Sequence, residues 1–469
     1  MFVMPPRNGI VEDMRKRLTT EPQRVYIETF GCQMNDHDSE KILEILSPLN
    51  YRATTNIHEA DLILINTCTV REKPEHKVYS TLGRLKRLKN LNGDLIIGVG
   101  GCLAQQEGER LLARVTHLDL VFGTHNLSRL PELVEDVRKN RNRRCETCFY
   151  DRAPSMEVIP LTEPKVRSYV TIMQGCNNDC SYCIVPKVRG PERSRPMARI
   201  LDELRILAER GVKEVTFLGQ NVNAYGKGLE EEASFAVLLK AANEIGGIAR
   251  IRFTTSHPKD LSRDLIDCFR DLTKICEHIH LPFQSGSNRI LERMNRAYTR
   301  EDYMDKVARL REVCPPIAIT ADVLVGFPGE SDRDFEDTMD LVKRVQFDNL
   351  FSFRYSPRKG TAAADLPHQL SLKVKRERLK VLQDYQRNVT RKKNREAEGQ
   401  IERVLAEGRS QKPPAEIMGR TRSNRIVNFP GGFELVGQEV LVQIEKGFAN
   451  SLRGLLISSR AGEDHEEGR

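Results

Sequence analysis

Between residues 168 and 356 a short apolar run gives way to an amphipathic helical stretch again and again. The runs are "SYVTIM", "KEVTFL", "ARIRFTT", "EHIHLPF", "AITADVLVGF" and "LFSFRYS", with helical stretches such as "MARILDELRILAERG" and "YMDKVARLREV" between them. Strands that alternate with helices of this length build parallel sheets through right-handed crossovers. Six units, where a closed barrel of this type needs eight, predict an open partial (β/α)6 barrel whose functional edge is at the C-terminal ends of its strands.

The first 140 residues show a second alternation. "RVYIETF", "ADLILINT" and "DLIIGVG" are apolar runs, and "SEKILEILSPL" and "HKVYSTLGRLKRL" are helical stretches. They predict an α/β domain with its own parallel sheet over 23–139. A stretch rich in proline and charge, about 140–165, reads as a linker. The barrel is expected over 162–392. Over 395–458 the runs "IERVLAEG", "AEIMGRTRSNRIVNF" and "QEVLVQIEKGFANSLRGLLI", broken by Gly and Asn, predict a small all-β barrel. Three domains agree with the length of 469 residues. The acidic "GEDHEEGR" reads as disordered.

Charge and cysteine content narrow the class. Residues 371–395 hold ten Lys/Arg and two Asp/Glu, a surplus equal to the +8 of the whole chain. This segment is either a solvated helix face or a surface that tracks nucleic-acid phosphates. The opening "MFVMPPRNGIVEDMRKRL" lacks the apolar core of a secretory leader, and no apolar run is long enough to span a bilayer. The reading is a soluble, cytoplasmic, monomeric protein whose eleven cysteines stay reduced for metal or chemistry.

Three of those thiols, Cys176, Cys180 and Cys183, follow the first barrel strand in "GCNNDCSYC". Iron–sulfur clusters take one Cys thiolate per iron, so three ligands on a 4Fe-4S cluster leave one iron open. The bland alternative is zinc with a distant fourth ligand. Cys-x3-Cys-x2-Cys at this place resembles the radical S-adenosylmethionine superfamily. The resemblance implies that the open iron binds S-adenosylmethionine and that one electron cleaves it to methionine and a 5′-deoxyadenosyl radical. Tyr182 matches the superfamily's aromatic position, expected against the adenine. Cys32, Cys68 and Cys102 form a second set, 36 and 34 residues apart. Each falls just past a predicted parallel strand, where ligands of open α/β sheets gather. They read as a second three-thiolate site, or as ordinary loop cysteines. Cys145 and Cys148 form an unassigned C-x-x-C, and Cys268, Cys276 and Cys314 read as buried small hydrophobes.

With both sets in view, "IETFGCQMN", "NTCTVREK", "GVGGC", "GCNNDCSYCIVP", "LGQNVNAYG", "RFTTSHP", "HLPFQSGS", "VGFPGE" and "GRTRSNRIVNF" together resemble the methylthiotransferase family over about 23–458. The branch they resemble most acts on tRNA bearing isopentenyladenosine. The family implies an N-terminal methylthiotransferase domain, a radical S-adenosylmethionine core and a C-terminal RNA-binding TRAM barrel. It implies two 4Fe-4S clusters and two molecules of S-adenosylmethionine per turnover, one donating methyl and one making the radical that removes the C2 hydrogen. The clusters and cofactor carry the chemistry, so no side chain is assigned as catalyst. An electron donor, and a sulfur or cluster carrier, are implied as partners.

Other residues are placed by position. Gln220, Asn221 and Asn223 follow the second barrel strand; they either bind S-adenosylmethionine or the base, or cap their own loop. Ser256, Gln284 and Asp322 are pocket candidates. His278 and His280 share a strand face and read as packing or pocket lining. Arg420, Arg422 and Arg425 in the small barrel are the expected RNA contacts, an unstacked anticodon loop being what such readers take. Sister activities on threonylcarbamoyladenosine or on a ribosomal-protein aspartate share the cysteine logic. A non-catalytic iron–sulfur RNA-binding protein is the alternative from another class, opposed by two incomplete ligand sets.

Overall fold

The computed structural model describes residues 21–69, 72–150, 154–160, 165–230, 233–410 and 416–458. The opening "MFVMPPRNGIVEDMRKRL" and the acidic "GEDHEEGR" lie outside them. By its internal contacts the chain forms two units. One holds residues 1–163 with 184–191, and the other holds 164–183 with 192–469, so the two β-barrel regions belong to one unit.

The first unit is built on six strands: β1 (Gln23–Thr29), β2 (Tyr51–Ala53), β3 (Leu62–Thr67), β4 (Ile96–Gly101), β5 (Leu120–Phe122) and β6 (Arg144–Glu146). Their order is β2-β1-β3-β4-β5-β6, and every pairing is parallel. β3 and β4 are buried along their whole length, as strands covered on both faces must be. Ile63, Ile65, Ile97 and Val99 pack into one apolar layer, while Leu62, Leu64 and Ile96 pack into the other. β6 lies inside the stretch expected to be a linker. Its backbone completes the sheet edge beside β5, so residues 144–146 belong to the sheet.

In the second unit, β7 (Arg167–Thr171), β10 (Glu214–Leu218) and β11 (Arg250–Phe253) form one parallel sheet, and β12 (His278–His280), β13 (Ala318–Val325) and β14 (Asn349–Arg354) form another. An Ile251–Ile275 bridge links the two sheets, giving the expected open six-strand architecture. The intervening β8 (Met173–Gln174) and β9 (Arg193–Ser194) are a small antiparallel pair. Val215, Phe217, Ile251, Phe253, Ile279, Ile319 and Val323 point to the buried side. Tyr169 with Thr216, His280 with Thr320, and Asp322 with Phe351 are cross-strand partners on the other face. The basic segment is one 25-residue helix, Leu372–Glu396. Beyond it β15 (Ile401–Arg409), β16 (Ile417–Thr421), β17 (Ile426–Phe429), β18 (Glu439–Gly447) and β19 (Leu452–Ser458) close into a barrel. No helix among the described residues is long and apolar enough to cross a membrane.

Candidate cluster and cofactor sites

The dispersed cysteines meet because of strand register. Thr29 pairs with Asn66 and Thr67 with Gly101, so Cys32, Cys68 and Cys102 all emerge at one edge of the sheet. Cys32 caps a 14-residue helix (Gln33–Leu46), and Cys102 is the first residue of a short one (Cys102–Glu107). Gly31 makes the turn into Cys32 with φ of 135°, and a Cβ there would stand 2.5 Å from the Cβ of Cys68. Gly101 and Gly175 precede Cys102 and Cys176 with φ of 87° and 79°. Each of these glycines bends the chain where a strand has just ended and aims the following cysteine.

Arg189, six residues past Cys183, completes this first site. It ends a short helix, Val185–Arg189, that belongs to the first unit. Its side chain is almost wholly buried, with Nη2 donating to Asn35 Oδ1 at 2.9 Å and lying 2.9 Å from Asp38. Burial pushes the Cys102 thiol up, while the Arg189 guanidinium opposes that shift. Burial works against the charge of Arg189 too, yet Asp38 and the neighbouring thiols keep its pKa above the usual guanidinium range.

In the second unit, the contiguous set Cys176, Cys180 and Cys183 lies on a loop fastened from several directions. Gly175 N–H donates to Gln220 Oε1 at 2.5 Å, and Asn295 Nδ2 donates to Asp179 O at 2.8 Å. Lys259 Nζ donates to Asn178 Oδ1, and Glu192 N–H to Asn177 Oδ1. The sulfurs act as acceptors: Asn178 N–H reaches Cys176 Sγ at 3.4 Å, and Arg296 Nη1 reaches Cys180 Sγ at 3.5 Å. Burial raises the Cys176 thiol, and the Asn178 N–H pulls it back. Arg296 is held in turn by Pro282 O and Tyr298 Oη, both at 3.1 Å. Neither arginine carries a linear signal; each reaches its partners through tertiary packing.

All six cysteines are free thiols. Among the described residues no group of three or more His, Cys, Asp or Glu side chains is placed to hold a metal ion. The donor chemistry fits iron–sulfur ligation: two sets of three Cys, the side chain that such clusters take, with Arg296 donating to Cys180 Sγ in one of them.

The remaining candidates divide. Gln220 supports the loop of Cys176. Asn221 Nδ2 donates to Asp260 at 2.8 Å, and Asn223 exchanges hydrogen bonds with the His257 backbone, the self-capping arrangement. Tyr182 packs against the cluster of Ile290, Met294, Phe327, Tyr355 and Ala363. The Ser256 hydroxyl is buried with no hydrogen-bond partner among the described residues. Gln284 has φ of 64° and pairs across to Val323. Asp322 Oδ1 lies 3.5 Å from His280 Nε2, and the exposed Phe351 stands edge-on to that imidazole. His278 and His280 both bond Thr320 Oγ1. Cys145 lies on β6, where burial and Glu109 push its thiol up to about 11, and Cys268, Cys276 and Cys314 are buried.

Arg420, Arg422 and Arg425 spend their donors inside the chain. Arg420 Nε is 3.1 Å from Glu407, Arg422 Nε is 2.8 Å from Glu277, and Arg425 Nη2 is 3.5 Å from Asp348. Arg250 and Arg252 reach across to Glu439 and to the carbonyls of Arg420, Thr421 and Arg422. These side chains fasten the small barrel to the strands of the larger one. The free basic face lies on the helix Leu372–Glu396, where Lys373, Arg376, Lys380, Arg391 and Arg395 are exposed.

Comparison with known proteins agrees with this architecture. Residues 24–123 match Uncharacterized protein family UPF0004, 170–342 match the Radical SAM superfamily, and 395–457 match the TRAM domain. A relative named tRNA-2-methylthio-N(6)-dimethylallyladenosine synthase, from Syntrophus aciditrophicus (strain SB), is 53% identical over 93% of this chain and 95% of its own length. One of the same name from Geotalea uraniireducens (strain Rf4) is 51% identical over 93% and 99%. Among solved structures, the radical S-adenosylmethionine methyltransferase TsrM from Kitasatospora setae, with tryptophan substrate and a SAM analog bound, shares the fold. Its TM-score is 0.53 at 13% identity, over 70% of this chain and 72% of that one.

Proposed function

Because the chain belongs to the tRNA-2-methylthio-N(6)-dimethylallyladenosine synthase family, we propose that it adds a methylthio group to C2 of N6-isopentenyladenosine beside the anticodon of tRNA. The observation that carries this reading is the loop of Cys176, Cys180 and Cys183 at the C-terminal edge of β7, with its sulfurs accepting from Asn178 and Arg296. Cys176, Cys180 and Cys183 would hold a 4Fe-4S cluster there, which with S-adenosylmethionine would supply the one-electron chemistry that an unactivated C2–H bond requires.

The chain's own residues do the holding. Cys176, Cys180 and Cys183 would ligate this cluster, and Cys32, Cys68 and Cys102 would ligate a second one as the source of sulfur. Gln220 keeps the ligand loop in its turn. Tyr182, Asn221, Asn223, Ser256, Gln284 and Asp322 border the volume in which S-adenosylmethionine and the base are bound, with Asn221 and Asn223 shaping the loop rather than touching ligand. Two molecules of S-adenosylmethionine serve each turnover.

For tRNA, the helix face of Lys373, Arg376, Lys380, Arg391 and Arg395 is the proposed phosphate track, and Arg420, Arg422 and Arg425 act mainly by holding the TRAM barrel in place. If about four phosphates are neutralised, tRNA binding falls with a log–log salt slope of roughly −3 to −4. Arg376→Gln with Lys380→Gln flattens it by about 1 to 2; an unchanged slope removes the helix from the interface. An electron donor and a sulfur or cluster carrier are proposed partners, and the working form is a cytoplasmic monomer. The whole reading is tested by anaerobic turnover with isopentenylated and unmodified tRNA, followed by nucleoside mass analysis. The methylthio mass gain is expected with isopentenylated tRNA alone. No gain, or equal gain on both, contradicts it.

A further inference from the structure

Alternation along β14 puts Leu350 and Ser352 on the face covered by the helix Leu372–Glu396, where Gln383 Nε2 donates to Ser352 Oγ at 3.2 Å. Phe351 and Phe353 therefore stand on the opposite face, the inner wall of the open barrel. Phe351 is 45% exposed there, whereas Leu350 beside it is 8% exposed. In register, Phe351 pairs with Asp322 and Phe353 with Leu324. Leu324 packs on the same apolar cluster as Tyr182, which lies between Cys180 and Cys183 in the chain. Phe351 is thus two residues, about 7 Å, down β14 from the level that meets the contiguous cysteine loop. A carboxylate stands beside this apolar strip. Asp322 Oδ1 lies 3.5 Å from His280 Nε2, and His280 Nδ1 is 3.0 Å from Thr320 Oγ1. The Phe351 ring meets that imidazole edge-on, with centroids 5.7 Å apart. The Asp322 side chain is still 33% exposed, so it can take a further partner. At the N-terminal ends of β12 and β14 the small barrel closes the wall, with Arg422 on Glu277 and Arg425 near Asp348. A ligand reaches the wall from the end that carries the cysteine loop.

We propose that Phe351 is a specificity-determining residue for an adenine that carries a hydrocarbon on N6: its ring, continued by Phe353 and Leu324, takes the hydrocarbon, and the Asp322 carboxylate accepts the remaining N6–H. An apolar strip beside one acceptor is complementary to a secondary amine with an apolar substituent. An N6 substituent that ends in a carboxylate, such as threonylcarbamoyl, would lose its water against the strip and meet a like charge at Asp322. This inference rests on the reading of the substrate as isopentenyladenosine in tRNA, and it assigns the residues that select it.

The test uses the full chain, reconstituted anaerobically, as the parent, Phe351→Ala and Phe351→Leu forms. Each is titrated by fluorescence anisotropy with unmodified, isopentenylated and threonylcarbamoylated tRNA, and methylthio product is measured in parallel by nucleoside mass analysis. The parent is expected to bind isopentenylated tRNA roughly tenfold tighter than unmodified tRNA, the effect of withdrawing a small hydrocarbon from water, and threonylcarbamoylated tRNA no tighter than unmodified. Phe351→Ala should bind unmodified tRNA like the parent, which also reports that it is folded, and lose the preference to below about threefold. Phe351→Leu, which stays apolar, should keep most of it. A parent that makes the product without any binding preference, or a Phe351→Ala form that keeps the full preference, overturns the inference and leaves the functional reading standing. A parent that makes no methylthio product on isopentenylated tRNA, or that prefers threonylcarbamoylated tRNA, overturns the functional reading itself, and this inference with it.

Discussion

Cys176, Cys180 and Cys183 occupy eight consecutive positions of one loop, whereas Cys32, Cys68 and Cys102 span 71 residues and three strands. The contiguous set is shaped by hydrogen bonds of its own loop and its immediate neighbours, such as Gly175 to Gln220. The dispersed set is shaped by sheet register, with Thr67 opposite Gly101 delivering Cys68 and Cys102 side by side. The contiguous thiols are half-buried, while Cys68 and Cys102 are 2% and 4% exposed. Cys32, the third dispersed cysteine, is exposed. Arg296 donates to a sulfur of the contiguous set, and Arg189 is buried against Asn35 and Asp38 in the first unit.

The largest effect that breaks or sharpens this comparison is on product. Cys180→Ala should abolish both 5′-deoxyadenosine formation and methylthiolation. Cys68→Ala should abolish methylthiolation yet leave 5′-deoxyadenosine formation within about threefold of the parent, a difference under ~1 kcal/mol. Equal loss of 5′-deoxyadenosine in both variants, read by chromatography, would merge the two sites into one function.

A smaller effect concerns how each cysteine is aimed. Gly31→Ala puts a methyl 2.5 Å from Cys68 Cβ at a φ of 135°. It should cost about 1–3 kcal/mol of apo-chain stability. Gly175→Ala, at φ 79°, carries the backbone penalty at the other set. Thermal melting separates them: the register-built site should suffer more, because its crowding is side chain on core. An equal or larger loss for Gly175→Ala contradicts that difference.

The smallest effect is with pH. His37, buried in the first unit, is held down to about 4, and His257, behind Tyr298 in the second, to about 2; in both, burial is the main cause. The unfolded chain takes these protons near 6.5 and the folded chain refuses them. Their contribution is thus fully present above about 6.5 and is lost as pH falls toward the folded values, by no more than about 1.4 kcal/mol per pH unit for each histidine. His37→Gln should flatten the fall between pH 6.5 and 5 in urea titrations of the apo chain; an unaltered slope places the titration elsewhere.

What was legible in the chain follows from the same contrast. The contiguous set is visible as spacing, and the six barrel strands as apolar runs between helical stretches. Cys32, Cys68 and Cys102 are visible only once each is seen to follow a strand, because the pairing that unites them is tertiary. β2, β5 and β6 were not legible: three residues cannot display an alternation, and β6 is ordered only because β5 lies beside it. Arg296 reaches the Cys180 sulfur from outside any motif, so no linear pattern could assign it. The helix Leu372–Glu396 was legible as charge, whereas the engagement of Arg420, Arg422 and Arg425 with Glu407, Glu277 and Asp348 depends on how the small barrel docks.

The most direct measurement is iron and acid-labile sulfide per reconstituted chain in the parent and in the two triple Cys→Ala variants. Two three-thiolate cubanes predict about eight of each in the parent and about four in either variant. A parent with about four irons that keeps them all when Cys32, Cys68 and Cys102 are gone would contradict the second site and the division of labour built on it.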